Sequence, residues 1–492
     1  MNFSMIRYIM GWVVSIESVF LLFPCLVALL YQEQQGFSFL SVMLLTALIG
    51  FALVFKKPKN TTIFAREGFV SAALCWIVMS LFGALPFTLS GDIPDYVNAL
   101  FETISGFTTT GASVLPNVES LAYCSMFWRC FTHWIGGMGV IVFLLVVLPM
   151  AGGSCIHLLR AESTGPSVGK LVPRMRHTAG YLYIIYIAMT IVEFIFLLCG
   201  GMNCFDSLCI AFGSAGTGGF GILNSSFMAY SPYIQTVVAV FIVLFGVSFN
   251  IYFLLLHGKF VEALKSEELR CYFIIIAIST ALITLNILTL FGDFWEALRH
   301  AFFQVSSIIT TTGYSSVDFA QWPALSQTIL VLLMFIGACA GSTGGGIKIS
   351  RLLILIKSIR KEIGTYIHPR SIKKITIEGK AIEHETNRAA NVYMIAYLMI
   401  FAVSLLLISL DNFDFTTNFT AIAATLNNIG PGLAHVGPTG NFNDFSAFSK
   451  FILMFDMITG RLEIFPMLVL FWPSTWLTAG ARRKRGTERK FL

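Results

Sequence analysis

Residues 101–113 read Phe-Glu-Thr-Ile-Ser-Gly-Phe-Thr-Thr-Thr-Gly-Ala-Ser, a short apolar segment that ends in a Thr/Gly-rich turn. Three later segments end in similar turns, which read GTGGFG (216–221), TTTGYSS (310–316) and NNIGPG (427–432). Alignment of the turns places one glycine at the same point of each, namely Gly111, Gly219, Gly313 and Gly430. Because these glycines follow one another at intervals of about a hundred residues, the pattern predicts a fourfold internal repeat.

Long apolar stretches surround the short segments. They lie at about 9–30, 38–55, 69–90, 131–150, 181–200, 234–256, 272–291, 325–340, 391–410 and 451–479. A membrane span needs roughly 20 apolar residues, so the long stretches predict spans and the short segments before the turns predict half-helices. An acidic residue stands near the start of each half-helix, at Asp95, Asp206, Glu296 and Asp414. The predicted fold is an all-α polytopic membrane protein with ten transmembrane helices. Four span–half-helix–turn–span repeats would stand in a pseudo-fourfold arrangement after an N-terminal helical hairpin.

The composition excludes two broad classes of protein. Of the 492 residues, 56% are hydrophobic and only 12% are charged, whereas soluble domains carry about 25% charged residues. A soluble enzyme and a disordered chain are therefore both excluded. The ten cysteines form no CxxC pair, so neither a zinc site nor a disulfide framework is indicated.

The repeats divide the chain into five parts. These are the N-terminal hairpin (1–60), repeat 1 (61–160), repeat 2 (161–265), repeat 3 with a basic cytoplasmic segment (266–385) and repeat 4 with a basic tail (386–492). Lys and Arg cluster in the loops between these parts and in the tail at Arg482–Arg485. Positive charge marks the cytoplasmic side of a membrane. Both termini are therefore predicted to be cytoplasmic, and all four turns are predicted to be entered from outside.

The chemistry of the turns favours a cation. Glycine adopts positive φ and so lets successive carbonyl groups face one side. Carbonyl oxygens turned inward replace the hydration shell of a monovalent cation, and the C-terminal ends of the half-helices add negative potential. A single such turn would more often cap a buried helix, but four aligned copies on one side of the membrane favour an ion pathway.

These turns, together with WIGGMGV (134–140) and GACAGSTGGGIKISR (337–351), resemble the Trk/Ktr/HKT superfamily, and specifically the bacterial Trk subunit of the TrkH/TrkG type. The resemblance covers essentially the whole chain and implies a potassium-translocating subunit of the bacterial inner membrane. It also implies a homodimer with one pore per protomer, seated on a cytosolic ring of TrkA-type nucleotide-binding subunits. No cofactor is implied besides the transported potassium ion.

The resemblance assigns potassium-binding carbonyls to three residues of each turn. They are Thr109, Thr110 and Gly111; Thr217, Gly218 and Gly219; Thr311, Thr312 and Gly313; and Asn428, Ile429 and Gly430. Related plant transporters that prefer sodium have Ser at the first of the aligned glycines, so glycine in all four turns favours potassium. The fourth turn departs from the others because it lacks Thr before its glycine and carries Pro431 after it.

A glycine-rich segment interrupts the second span of repeat 3 and is expected to form a loop inside the membrane, because glycine destabilises helices. By resemblance it is a gate below the filter. Its residues are Gly337, Gly341, Ser342, Thr343, Gly344, Gly345, Gly346 and Lys348. The alternative is close helix packing through small residues.

Arg461 lies within the last apolar stretch, and an intramembrane Arg normally faces a cavity or a partner. By resemblance it projects into the pore below the filter and slows permeation. The alternative is a structural pair with Asp456 or Glu463, and Lys348 could play either part. His133 is expected to be a packed core histidine.

The basic segment 357–388 is expected to contact the cytosolic ring, and no nucleic acid is expected as a partner. Nothing in the chain is typical of an enzyme, since no nucleophile–base pattern is present. The main rival is an alternating-access cation symporter, coupled to protons or sodium. A symporter of that kind predicts two inverted halves, whereas this chain has four repeats of the same sense.

Overall fold

The computed structural model describes residues 1–61, 63–147, 175–369, 374–382 and 384–476. Most of these residues are helical. Within the described ranges, the one sheet is an antiparallel pair of short strands, Thr376–Ile377 and Lys380–Ala381. The chain begins with two long helices, Phe3–Tyr31 and Gly36–Val54, which pack against each other.

Four groups of helices follow the N-terminal pair, and each group has the same order. A first span comes first: Ala65–Ser90, Met175–Cys199, Glu267–Phe291 and His384–Ile408. A shorter helix comes next, here called pore helix 1 to 4 after the pore that the resemblance implies: Tyr96–Phe107, Cys204–Gly216, Phe294–Ile309 and Phe415–Leu426. A second span, numbered 1 to 4, closes each group: Tyr123–Val147, Pro232–Phe245 with Phe249–Leu256, Ala324–Ile336 with Ile349–Ile367, and Ala447–Arg461 with Phe465–Phe471.

Three of the second spans are interrupted. Second span 2 bends by 87° after Phe245, second span 3 is broken between Ile336 and Ile349, and second span 4 is broken between Arg461 and Phe465. In the last break Glu463 and Ile464 have positive φ, which an α-helix cannot accommodate.

By length and composition, six described helices can cross a membrane, or seven if the bent pair counts as one span. They are Phe3–Tyr31, Gly36–Val54, Ala65–Ser90, Gly180–Cys199, Glu267–Phe291 and His384–Asp411. The breaks in the second spans shorten their continuous apolar helices, so the count of ten stays a prediction.

Burial divides the helices into two kinds. The first spans expose large apolar side chains, such as Leu285 at 68% and Leu406 at 71%, which only a lipid solvent makes favourable. Pore helix 1, in contrast, is buried from Ala99 to Phe107. The chain is therefore a multi-pass membrane protein whose short helices lie inside the bundle.

A polar side chain caps the N-terminus of each pore helix. It accepts a hydrogen bond from a backbone N–H group that would otherwise have no partner. The caps are Asp95, Asn203, Asp293 and Asp414, with bonds of 3.1, 2.7, 3.0 and 3.0 Å. Asp206 and Glu296 also lie near the start of their helices, in the first turn, where their N–H groups donate to the caps Asn203 and Asp293.

Some sequence predictions lie outside the described residues. These are the boundary at 160/161 between repeats 1 and 2 and the basic tail with Arg482–Arg485. The division of the chain into five parts remains a prediction.

Candidate functional site: four turns around one cavity

All four pore helices end with the same backbone geometry. The residue that leaves the helix is left-handed, with φ of 54° at Thr109, 50° at Thr217, 60° at Thr311 and 56° at Asn428. The N–H group of the next residue donates to the carbonyl five residues earlier, at 2.8 Å in every turn. This is the Schellman ending of a helix, in which glycine normally occupies the left-handed position. Here that position holds Thr or Asn, a strained choice for Thr.

Two residues further on, each turn reaches its aligned glycine, and the backbone is left-handed again. The φ values are 79° at Gly111, 86° at Gly219, 86° at Gly313 and 99° at Gly430. The residue between the two left-handed positions has no positive φ in any of the turns. This alternation is the local geometry by which successive carbonyl groups can face one side of a chain.

The four turns pack against one another in a closed cycle. A Cβ atom built on each glycine would collide with a carbonyl oxygen of the next turn. The distances are 2.1 Å from Gly111 to the oxygen of Gly218, 1.9 Å from Gly219 to Thr312, 1.9 Å from Gly313 to Ile429 and 2.8 Å from Gly430 to Thr110. Numbered in chain order by these glycines, turn 1 (Gly111) thus contacts turn 2 (Gly219), turn 2 contacts turn 3 (Gly313), turn 3 contacts turn 4 (Gly430), and turn 4 contacts turn 1. The twelve residues that the sequence analysis assigned to the turns lie together in this ring.

A cavity of about 130 Å³ lies at one end of the ring. All four aligned glycines line it, together with residues that follow them, such as Ala112, Gly221, Ser315 and Pro431. The cavity therefore opens at the end of the ring formed by the glycines and the residues after them.

The glycine-rich segment lies against the other end of the ring. The hydroxyl of Thr217 lies 3.3 Å from that of Thr343, and the N–H group of Gly345 donates to the Thr311 hydroxyl at 2.6 Å. A Cβ atom built on Gly345 would lie 2.4 Å from the carbonyl oxygen of Asn427. The loop therefore contacts turns 2 and 3 and the end of pore helix 4, at residues that precede the aligned glycines.

The conformation of this loop depends on its own glycines and on buried polar groups. Gly337, Gly341 and Gly346 have positive φ of 73°, 74° and 74°. Ser342 donates to the Cys339 carbonyl at 2.7 Å, and the buried Lys348 ammonium donates to the Gly344 carbonyl. The segment is an ordered non-helical loop, as the sequence predicts, rather than a packed helix.

Arg461 lies beside the loop and is 8% exposed. Its guanidinium donates to the carbonyl of Thr343 in the loop at 2.8 Å and to that of Gly136 in second span 1 at 2.6 Å. The two acids considered as partners for Arg461 each have another contact. Asp456 accepts a hydrogen bond from Ser404 at 2.8 Å, and Glu463 forms an ion pair with Arg351.

His133 is fully buried, as expected, and it packs against turn 2. A Cβ atom on Gly218 would lie 1.5 Å from the imidazole Nδ1. The ring of Phe220 lies 4.1 Å from that of His133, measured between centroids.

A buried ion pair beside the turns was missed by the sequence analysis. Arg129 Nε lies 2.6 Å from Glu102, and the two residues are 3% and 1% exposed. Glu102 also accepts hydrogen bonds from the Ser113 hydroxyl at 2.9 Å and the Val114 N–H group at 3.0 Å. Arg129 donates to the Gly221 carbonyl at 2.9 Å. The pair therefore joins the backbone that follows turn 1 to the backbone that follows turn 2.

Comparisons with known proteins agree with this architecture. A family model described as "Cation transport protein", TrkH, matches residues 35–478. The Trk system potassium uptake protein TrkH of Escherichia coli K12 is 35% identical over 486 residues, which cover 97% of this chain and all of that protein. TrkG of the same strain is 32% identical over 487 residues, with the same coverage.

A solved structure is also similar along nearly the whole chain. The crystal structure of the potassium transporter TrkH from Vibrio parahaemolyticus has a TM-score of 0.88 and 32% sequence identity, and covers 97% of this chain and all of that one. These relatives are transporter subunits and not enzymes. The chain belongs to the TrkH family of cation transport proteins.

Proposed function

We propose that this chain is the potassium-translocating subunit of a Trk-type uptake system and that potassium passes through the ring of four turns. The observation that carries this proposal is the closed cycle in which each aligned glycine packs against a carbonyl of the next turn. Four turns in a cycle define one axis, and an axis lined with backbone oxygens suits a cation that has shed its water. The relatives named Trk system potassium uptake proteins support potassium as that cation.

The ring's electrostatics also suit a cation. Each pore helix points the end that carries about −0.5 elementary charge toward its turn. The filter carbonyls belong to the three residues assigned in each turn: Thr109–Gly111, Thr217–Gly219, Thr311–Gly313 and Asn428–Gly430. Their positive-φ glycines favour potassium over sodium, because a larger residue would displace a neighbouring carbonyl.

The loop from Gly337 to Lys348 is proposed as the gate. It contacts residues that precede the aligned glycines, so an ion that leaves the ring on that side meets the loop. Arg461 holds the loop through its hydrogen bond to the Thr343 carbonyl. Its positive charge lies beside the loop and would slow a passing cation. Opening would require the loop to move away from turns 2 and 3.

The assembly is proposed to be a homodimer in the bacterial inner membrane, with both termini in the cytoplasm. A cytosolic TrkA-type nucleotide-binding ring would control the loop through the basic segment 357–388. Helix Ile349–Ile367 supports this route, since it begins directly after the loop.

The alternative is an alternating-access symporter that couples potassium to protons or sodium. The contacts between the turns follow chain order around the ring, which supports a channel. A transporter built from two inverted halves would instead place its turns in two facing pairs.

Growth of a potassium-uptake-deficient strain tests the proposal. Expression of the chain with its cytosolic partner should restore growth at low potassium, and a variant with altered turns should not. If the wild-type chain restores no growth and moves no potassium in proteoliposomes, the proposal is wrong. A fixed stoichiometry of proton or sodium movement with potassium would favour the symporter.

A further inference from the structure

The contact between turn 4 and turn 1 differs from the other three contacts of the ring. A Cβ atom on Gly430 would lie 2.8 Å from the Thr110 oxygen, whereas the corresponding distances elsewhere are 1.9 to 2.1 Å. The Thr110 oxygen thus lies 0.7 to 0.9 Å farther from the Cβ position than the corresponding oxygens of the other contacts do. Turn 4 also has different side chains, since Asn428 stands where the other turns have Thr.

The side chain of Asn428 crosses this wider contact. Its Nδ2 donates to the Thr110 hydroxyl at 2.9 Å and to the Met457 carbonyl at 2.8 Å. Between the described three-residue turns 109–111, 217–219, 311–313 and 428–430, no other side-chain hydrogen bond is formed. Asn428 therefore joins turn 1 both to turn 4 and to second span 4.

The hydroxyls of Thr108 and Thr110 and the amide of Asn428 form one hydrogen-bonded series, and the donor of each bond in it can be identified. The Thr108 hydroxyl donates to the Ile104 carbonyl at 2.7 Å. Thr108 and Thr110 share a second bond of 2.7 Å between their hydroxyls, so Thr110 donates to Thr108 and accepts from Asn428. A flipped amide would place Oδ1 against the Met457 carbonyl, which repels it. Only the arrangement with Nδ2 toward Thr110 and Met457 forms both bonds, and it leaves Asn428 Oδ1 buried without a hydrogen bond.

Turn 3 provides a natural comparison. Thr310 and Thr312 form the same hydroxyl pair at 2.7 Å, and Thr310 donates to Ser306 at 2.7 Å. The facing residue of turn 2 is Thr217, whose hydroxyl donates to its own neighbour Gly216 at 2.7 Å. Thr312 therefore has the internal hydroxyl pair but accepts no side-chain hydrogen bond from turn 2.

We propose that Asn428 is a positioning residue whose amide closes the contact between turns 4 and 1 and holds the Thr110 carbonyl in place for potassium selection. This inference rests on the proposed function of the ring. At this contact the distance from the aligned glycine to the neighbouring carbonyl oxygen is the longest of the four, so packing holds the Thr110 carbonyl least closely. A ring with one mobile oxygen can contract around a smaller ion, so loss of the amide lowers the preference for potassium over sodium.

A simpler role for Asn428 is backbone conformation. Its φ is 56°, and asparagine tolerates the left-handed region better than most residues. Glycine tolerates that region at least as well. Asn428→Gly therefore keeps the conformation while removing the amide, which separates the two roles.

The experiment is a double-mutant cycle read out as the ratio of potassium to sodium flux in proteoliposomes that contain the full chain. Asn428→Gly and Thr110→Val should each lower the ratio roughly fivefold, the effect of losing one ordinary hydrogen bond. The double variant should be no worse than the more affected single variant, because both remove the same bond. Thr110→Ser keeps the hydroxyl and should lower the ratio less than Thr110→Val does. Thr312→Val is the matched control, and its effect should be independent of Asn428→Gly.

A wild-type ratio in Asn428→Gly would overturn the inference and leave backbone conformation as the role of Asn428. Effects of Asn428→Gly and Thr110→Val that multiply would overturn it as well. If Asn428→Gly does not fold, Thr110→Val and Thr110→Ser test the same bond from its acceptor. A wild type that moves no potassium refutes the proposed function and this inference together. A selective wild type with an equally selective Asn428→Gly variant refutes the inference alone.

Discussion

Replacing Gly111 with serine tests the ring at a single atom. The new Cβ would lie 2.1 Å from the Gly218 oxygen, and contacts shorter than 3.0 Å do not occur, so that carbonyl must move by about 1 Å. A serine at φ of 79° also costs about 1–2 kcal/mol of backbone strain.

The displaced carbonyl no longer meets a potassium ion at its proper distance. One contact between a charge and a dipole contributes about 1.5–3 kcal/mol net, and 1.4 kcal/mol corresponds to a tenfold change in binding. We therefore expect Gly111→Ser to lower the ratio of potassium to sodium flux about tenfold or more. The measurement is uptake of each ion by proteoliposomes under the same gradient.

Gly292→Ser is a matched control. Gly292 has φ of 71°, but a Cβ atom there meets nothing within 4 Å. This variant carries the backbone cost without the collision and should keep the wild-type ratio. An unchanged ratio in Gly111→Ser, or an equal change in both variants, would refute the reasoning.

Three further predictions concern the loop and the buried charges. Deletion of Gly344–Gly346 should raise potassium flux in the absence of the cytosolic partner, because it removes the loop's contacts with the ring; flux that stays equal or falls would contradict the gate. Arg461→Ala should speed potassium flux in proteoliposomes, since it removes a positive charge and a bond that holds the loop, and a product that cannot be purified folded would indicate a structural role instead. Glu102→Gln should destabilise the protein by about 3–5 kcal/mol, because it leaves Arg129 buried without its charge partner. Thermal unfolding in detergent measures this loss, and a melting temperature equal to that of the wild type would show that the pair is dispensable.

The positions of the turns could be predicted because their signal is local. A glycine at the same point after each short apolar segment marks a left-handed residue, and the structure has positive φ at all four. The cyclic order could not be predicted, because it depends on which carbonyl each glycine meets in another repeat. The Asn428–Thr110 bond joins residues 318 positions apart, and no local pattern indicates such a pair.

The buried pair of Glu102 and Arg129 left a signal that the sequence analysis did not use. Glu102 lies within a short apolar segment and Arg129 lies two residues before the apolar stretch 131–150, and charged residues in such surroundings are normally paired. Their separation of 27 residues follows neither the helical period nor a known motif. The contacts of Arg461 were equally inaccessible, since their acceptors Thr343 and Gly136 are backbone carbonyls, which every residue possesses.

All four quarters of the ring belong to one polypeptide, so under the proposed function a mutation changes the preference among ions one quarter at a time. In a channel assembled from four identical subunits, one altered codon changes every quarter of the coordination shell at once. Here an altered codon changes one quarter and leaves three as they were. The asparagine of turn 4 shows that a single quarter can differ while the cycle stays closed. Under the proposed function, the affinity for an ion can thus be adjusted in small steps that a symmetric tetramer cannot take.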